Sequence, residues 1–326
     1  MLSPKATSGM SDSTDGRHRF GAARFVFLLA AFLCLTGLCA AAQAADLKQA
    51  GSLAEAGAPE LALALVEREQ RDLDPGAPRW TKWETLRLDL LRRMERWEAL
   101  AERTSIPPAG APEALKNRLE LERAEALLRL GRAAEARVSV RRSIWAGAKR
   151  ERMALLRRLV IRSYLEEGLA EDAYAAVVRY RQDYGQSRPG DRLLIAQVLL
   201  TRERHGQVES LLAGLDGSRA EALRLLNALR SEEQTPRRVL DRARTLAVRG
   251  GDTPAESLLL WAVAAEAAEM AGNPAARVPA LENLFEEGGG ASLPEGLFDF
   301  TGDDLWAAYQ SYAGRVGNRE QMLVGE

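Results

Sequence analysis

The side chains that most often do chemistry in proteins are scarce in this sequence. Both cysteines, Cys34 and Cys39, lie in the first 44 residues, and His205 is the only histidine after them. The later chain therefore lacks a cysteine nucleophile and the His and Cys ligands of a usual zinc site. No G-x-S-x-G turn accompanies His205, which we expect to be an exposed residue at a helical turn. We predict no enzyme activity, no metal and no cofactor.

Carboxylates and tryptophans are the remaining residue types that could act on a sugar polymer. Glu and Asp are plentiful, yet no pair stands in a loop beside aromatic residues, where the pKa of a catalytic acid would be raised. The six tryptophans fall within helical patterns, so we expect core packing rather than stacking on sugars. They are Trp80, Trp83, Trp97, Trp145, Trp261 and Trp306.

The placement of charge suggests a binding site. Between Arg132 and Arg162, ten basic residues stand against two acidic ones, a net charge of +8, whereas the segment from Asp252 to Glu326 carries −10. This asymmetry can steer an acidic partner to the basic segment. Residues one helical turn apart share a face. We predict a basic patch for partner binding that consists of Arg137, Arg141, Arg142, Arg150, Arg158 and Arg162.

Two other interpretations of the basic segment stay open. Its arginines can be solvated, or they can pair with the acidic end of the same chain or of another copy. If the patch is functional, its partner is an acidic peptide, an acidic protein surface or an anionic envelope polymer. The overall net charge of −1 argues against nucleic acid as the partner.

The elements that would position these residues are helices. Ala, Leu, Arg and Glu, which are strong helix formers, make up much of the chain after residue 45, and no strand pattern is convincing there. Helix starts are marked by a cap followed by proline, as in Thr253-Pro254, Asn273-Pro274 and Thr235-Pro236. Hydrophobic residues make up 46% of the sequence, which is ordinary for a folded domain.

Residues 1–44 are typical of a secretory signal peptide. Arg17, Arg19 and Arg24 precede an apolar run, and Ala42-Gln43-Ala44 supplies the small-x-small pattern of a cleavage site. We predict cleavage after Ala44 and a periplasmic or secreted location. The alternative is an uncleaved segment that anchors the protein in the inner membrane.

A repeat organises residues 45–286. Predicted hairpin turns at Gly57, Met94, Gly131, Gly168 and Gly206 are separated by 37, 37, 37 and 38 residues. Further turns are expected near Glu233 and at Gly272, which gives about seven helical hairpins. Alanines follow the first four turns at a distance of five residues, where a small side chain allows two helices to approach closely: Ala62, Ala99, Ala136 and Ala173.

Gly131 with Ala136, Gly168 with Ala173, and Tyr164 four positions before its glycine form a pattern that resembles the tetratricopeptide repeat family. Leu53, Leu90 and Leu127 stand at the position of Tyr164, and the period is longer than the usual 34 residues of that family. The resemblance implies a right-handed α-solenoid with a concave surface that binds proteins or peptides, without catalysis.

The C-terminal part departs from the repeat. Residues 287–302, which contain Gly288-Gly289-Gly290, predict a linker, and residues 303–326 predict a helix that Thr301 caps with Asp304. The sequence thus predicts an exported, non-catalytic scaffold or adaptor, and envelope assembly is a role that fits it. The alternative is the helical domain of a cell-wall enzyme that resembles soluble lytic transglycosylases, with its catalytic domain outside this sequence.

Overall fold

A computed structural model describes residues 46–185, 188–251, 253–286 and 293–324, and these residues are all-helical, without a strand. The predicted signal peptide and residues 287–292 of the predicted linker lie outside the described residues. The helices are α1 (46–55), α2 (Pro59–Gln70), α3 (Pro78–Arg93), α4 (Trp97–Arg103), α5 (Glu113–Arg129), α6 (Ala133–Trp145), α7 (Arg150–Glu166), α8 (Ala170–Tyr184), α9 (Pro189–Leu200), α10 (His205–Leu212), α11 (Ser218–Arg230), α12 (Pro236–Arg249), α13 (Pro254–Met270), α14 (Pro274–Glu286) and α15 (Gly302–Val324).

The helix starts follow the proline signals more closely than the capping signals. Pro236 and Pro254 occupy the first helical turn as predicted, because that turn has no use for their missing N–H. Asn273 accepts a hydrogen bond from the Ala276 N–H at 3.2 Å and caps α14. The hydroxyls of Thr235 and Thr253, which were expected to cap, make no such bond.

Seven short turns, each with a residue of positive φ, join the helices in pairs. In six of them, the N–H of the residue that follows the positive-φ residue donates to the carbonyl of the residue four positions before the positive-φ residue. This is the hydrogen bond of a Schellman motif. We call the two helices of each pair its first and second helix. The residues with positive φ are Gly57, Glu95, Gly131, Gly168, Glu203, Glu232 and Gly272.

Two of the predicted turn positions are therefore wrong. The turn expected at Met94 centres on Glu95, and Gly206 lies inside α10 while Glu203 takes the positive φ of 53°. Five residues beyond the corrected positions lie Leu100 and Val208, which are fully buried. The close-packed position is thus not always alanine, and Ala99 is exposed.

The described chain divides into two compact units, one up to residue 90 and one from Leu91 onward. In the first unit, Leu63, Val66 and Trp83 are buried, and the buried Gln70 amide donates to Glu84 at 2.7 Å. In the second unit, each helix from α4 to α15 contacts the next one along the chain. First helices also contact one another there, in the pairs α5 with α7, α9 with α11, and α11 with α13.

The C-terminal helix begins one residue earlier than predicted, at Gly302. The Asp304 carboxylate accepts hydrogen bonds from the Thr301 N–H at 2.8 Å and from its hydroxyl at 2.9 Å, so the carboxylate half of the predicted cap is present, while the Thr301 hydroxyl caps no N–H of the described residues. Within the described residues, no helix has both the length and the apolar character that a membrane crossing requires.

The corrected turn positions predict opposite effects for two similar substitutions. Gly168→Ala should lower the free energy of unfolding by about 1 kcal/mol, because φ is +69° and an L-residue is strained there. Gly206→Ala should leave it unchanged or raise it by up to about 1 kcal/mol, because alanine is the better helix former. Urea unfolding monitored by circular dichroism measures both. A clear loss in Gly206→Ala would mean that the turn is at Gly206 after all.

Candidate functional site

The six arginines of the predicted basic patch lie on two neighbouring helices of the second unit. Three of them, Arg137, Arg141 and Arg142, lie on α6, and Arg150, Arg158 and Arg162 lie on α7. They do not form one open surface. Half of the set is engaged with carboxylates of this chain, and these contacts join helices to one another.

Arg162 is the most heavily engaged of the six. Its guanidinium contacts Glu125 of α5 at 2.5 Å and Glu295 at 2.6 Å. Only 22% of its side chain is exposed. Burial by itself would lower the arginine pKa, but the two carboxylates outweigh it and the pKa is raised. Arg162 therefore stays charged and binds α5 and residue 295 to α7.

Arg158 makes the corresponding contact with the next first helix. It donates to Asp191 of α9 at 2.8 Å, and the Asp191 carboxylate is almost completely buried. Burial raises the pKa of Tyr180 to about 12, and a hydrogen bond to Asp191 adds to this effect. The buried carboxylate thus receives hydrogen bonds from α7 and α8, which satisfy it where water cannot.

The arginines of α6 gather around one aromatic ring. Arg137 contacts Glu167 at 2.6 Å and lies 4.5 Å from the centre of the Tyr164 ring. The Arg141 guanidinium donates to the Tyr164 hydroxyl. Tyr164 belongs to the repeat pattern of the sequence. Its ring therefore does more than pack in the core, because it also binds arginines of α6, the second helix of the preceding pair.

Other arginines of the same segment are also paired within the chain. Arg152 contacts Glu120 of α5, and Arg157 contacts Asp183 of α8 at 3.4 Å. The charge of +8 in the sequence is therefore largely offset by carboxylates from α5, α7, α8, α9 and residue 295. The alternative of pairing with the acidic end of the same chain holds only for Arg162 with Glu295, because the other carboxylates come from residues 120–191.

One exposed face of α6 is left over. Val138, Arg142 and Trp145 lie on it at successive helical turns, and we call them the α6 stripe. Val138 is 53% exposed and Trp145 is 79% exposed. Among the described residues, no carboxylate lies within ion-pair distance of Arg142. A large aromatic side chain with this exposure in a helix is unusual for a residue that only supports a fold.

A groove of about 1120 Å³ adjoins the α6 stripe. Its walls come from α5, α6, the start of α7 and the loop after α4, and they include Val138, Arg142 and Lys149. Ile106, in the same loop, is 81% exposed. The lining also includes four carboxylates, two of which pair with arginines, whereas Arg142 and Lys149 have no carboxylate partner among the described residues. The four are Glu113, Glu120, Glu135 and Glu151.

The prediction that the tryptophans are core residues is only partly confirmed. Trp80, Trp83 and Trp261 are buried, but Trp145 and Trp306 are exposed. Both exposed tryptophans lie on the solvent-facing side of their helices. The residue type alone does not show which side of a helix a tryptophan occupies.

His205 is half-buried rather than an exposed turn residue, because it begins α10. Its Nδ1 lies 3.0 Å from the side-chain oxygen of Asn227, which is buried in α11. The contact joins a second helix to the next first helix. In the part of the chain that the structure describes, no cluster of three or more His, Cys, Asp or Glu side chains is arranged to hold a metal.

A feature without a sequence signal lies across the first helices. Residues 293–300, which we call the crossing segment, contact α7, α9 and α11. Glu295 pairs with Arg162, and the carbonyl oxygens of Glu295 and Leu297 accept hydrogen bonds from Gln197 at 2.6 Å and Arg230 at 2.8 Å. Only the acidic charge of the C-terminal part could have suggested one of these contacts.

No protein-family model matches this sequence, and no curated protein matches it either. The fold alone therefore defines the class, which is an all-helical protein built of helix pairs.

Glu125 should make the protein sensitive to acid. Burial raises its pKa, but the hydrogen bonds and charges of Arg162 and Arg129 together outweigh this, so the pKa lies below the ordinary value of 4.5. A lowered pKa contributes stability above pH 4.5 that is lost as the pH falls further. Glu125→Gln should lower the free energy of unfolding by about 2 kcal/mol at pH 7, and by much less at pH 3.

The control for this measurement is Glu135→Gln. Glu135 pairs with Arg132 at 2.8 Å on the open surface, where solvent screens the pair, so its effect at pH 7 should be small. Equal effects of the two variants in urea titrations at pH 7 would show that the Glu125 pair contributes no more than a surface contact.

Proposed function

We propose that this protein is an exported adaptor that binds an acidic protein partner through the α6 stripe and the adjoining groove. The exposure of Trp145 beside an unpaired Arg142 carries the proposal. Tryptophan and arginine are enriched at the centres of protein interfaces, where they supply much of the binding free energy.

The architecture proposed for the adaptor is a right-handed solenoid of seven tetratricopeptide-like hairpins. Six Schellman turns, contacts between successive helices, and contacts between first helices support it. Such hairpins cannot bury their apolar faces singly, so stacking is the stable arrangement. In a stacked array, loops and second helices remain available to partners.

The charges that stay available define the chemistry of the partner. Arg142, Lys149 and Arg150 are exposed at the end of α6 and the start of α7, and Arg150 donates only to the backbone carbonyl of Asp183 at 3.3 Å. Cations at the rim of an interface mainly accelerate association with an acidic surface. An acidic protein with an apolar contact for Trp145 fits this arrangement.

The location is proposed from residues 1–44 of the sequence. Their basic start, apolar core and small-residue exit support export and cleavage after Ala44, and anchoring in the inner membrane is the alternative. Mass spectrometry of the N-terminus of the native protein separates the two.

A photo-crosslinker tests the α6 stripe directly. With p-benzoylphenylalanine at position 145, irradiation in the native envelope should give one discrete protein adduct. Arg142→Glu in the same chain should reduce that adduct about tenfold, because it reverses the charge at the contact. Immunoblotting and mass spectrometry of the adduct measure both effects.

The matched control carries the crosslinker at position 248. Val248 is 76% exposed on α12, also a second helix, and it lines neither the groove beside the α6 stripe nor the cavity that includes Leu165 and Met270. The same adduct from both positions, or an adduct that Arg142→Glu leaves unchanged, would contradict a specific site at the α6 stripe.

An adaptor should leave the cell wall intact. Purified protein incubated with peptidoglycan should release no soluble muropeptides in liquid chromatography, whether or not it sediments with the polymer. Release that persists in repeated preparations would contradict the adaptor function and favour a cell-wall enzyme.

A further inference from the structure

The crossing segment is bound as a peptide ligand is bound. It has no helix of its own, and its only turn, from Pro294 to Leu297, is closed by a weak backbone contact of 3.4 Å. The helices recognise two of its carbonyl oxygens, through Gln197 and Arg230, and one carboxylate, on Glu295. Recognition of backbone carbonyls together with selected side chains is how protein surfaces hold extended peptides.

The backbone approaches the helices most closely at Gly296. A Cβ at this position would lie 2.8 Å from the carbonyl oxygen of Leu165 at the end of α7, and φ is +72°. Both the space and the backbone conformation therefore require glycine. The surface is selective for a residue without a side chain directly after the carboxylate.

Two apolar contacts follow the glycine. Leu297 is buried in the core formed by α7 to α14, and Phe298 lies 5.5 Å from the Arg230 guanidinium. Phe298 also stacks on Phe300, with ring centres 5.6 Å apart. The pattern recognised is thus a carboxylate, a glycine, a leucine and an aromatic residue in succession.

The site is larger than the segment that occupies it. Beside Gly296 lies a cavity of about 580 Å³, lined by residues that include Leu165, Leu200, His205 and Met270. Met270 is 48% exposed towards solvent. A ligand with more atoms could fill this volume and gain apolar contacts that the crossing segment lacks.

A polar group of the site is also left unsatisfied. The Nε of Arg219 is buried and finds no hydrogen-bond acceptor among the described residues. Arg219 lies on α11 next to Gln197, whose side-chain oxygen is 3.5 Å away. A buried donor without an acceptor costs free energy, so an additional carboxylate or carbonyl at this point would be favourable.

We propose that the surface formed by α7, α9 and α11 is a peptide-binding groove, which the chain fills with its own crossing segment until a partner displaces it. The ligand is a protein segment that contains a carboxylate, a glycine, a leucine and an aromatic residue in that order, with further groups for the cavity. This deepens the proposed adaptor function, on which it rests, by adding a second site and the means of its regulation.

A labelled peptide of residues 293–301, LPEGLFDFT, tests the groove in the full chain by fluorescence anisotropy. Gly296→Val removes the crossing segment by steric conflict with Leu165 and leaves the helices unaltered. This variant should bind the peptide at least about tenfold more tightly than the unaltered chain. A peptide with glutamine in place of its glutamate should lose most of the gain, because Arg162 then has no peptide carboxylate to pair with.

The controls distinguish the groove from general stickiness. Gly302→Val is the matched variant, because no atom lies within 4 Å of a Cβ there, and it should bind no better than the unaltered chain. A peptide with valine in place of its glycine should not bind the Gly296→Val chain.

Three outcomes would overturn the proposal. One is a Gly296→Val chain that folds, by circular dichroism, and does not bind the peptide. Another is loss of folding in both Gly296→Val and Glu295→Lys, which would make the segment a permanent part of the core. A third is a concentration-dependent dimer of the unaltered chain that Gly296→Val abolishes, which would identify a second copy as the occupant. Crosslinking at position 145 is independent of these outcomes, so failure here leaves the α6 site standing.

Discussion

The pairing of Arg162 with Glu125 and Glu295 is the contact on which the second unit depends most. It joins α5, α7 and the crossing segment through one guanidinium, of which 22% is exposed. Removing one partner of a largely buried pair costs up to about 3–5 kcal/mol, because a charge is left without compensation. Arg152 and Arg158 likewise join α7 to α5 and α9 by pairing with carboxylates on those helices. Charged contacts thus join helices that are distant in the sequence, in addition to the apolar core that they share.

This use of arginine changes what the charge of the sequence means. A run of ten basic residues suggests a surface for an acidic partner, but half of these side chains pair with carboxylates from other parts of the chain. What remains available is local, at Arg142, Lys149 and Arg150 beside Trp145. Pairing within the chain therefore determines which cations the proposed binding surface contains. A cation can attract a partner only where the fold leaves it without a carboxylate.

The sequence predicts the local features well and the distant ones poorly. Pro254 and the turn at Gly168 are local signals, because backbone sterics act within a few residues. Glu95 and Glu203 take positive φ although glutamate does not favour it, so a strict period misplaced both turns. The pair of Arg162 with Glu295 spans 133 positions. No local pattern encodes such a separation, which is why the basic patch was drawn too large and the crossing segment was missed.

The two proposed sites lie mainly on different helices, although both include residues of α7. The crossing segment lies on the first helices α7, α9 and α11, which bind it through side chains at three points along its length. Second helices such as α6 meet solvent along one face and present isolated side chains, which suits a folded partner. An adaptor must hold two partners without competition between them. The two sites proposed here would meet that requirement, because the α6 stripe and the surface under the crossing segment have no residue in common, and occupation of the second surface by the chain itself would make that interaction conditional.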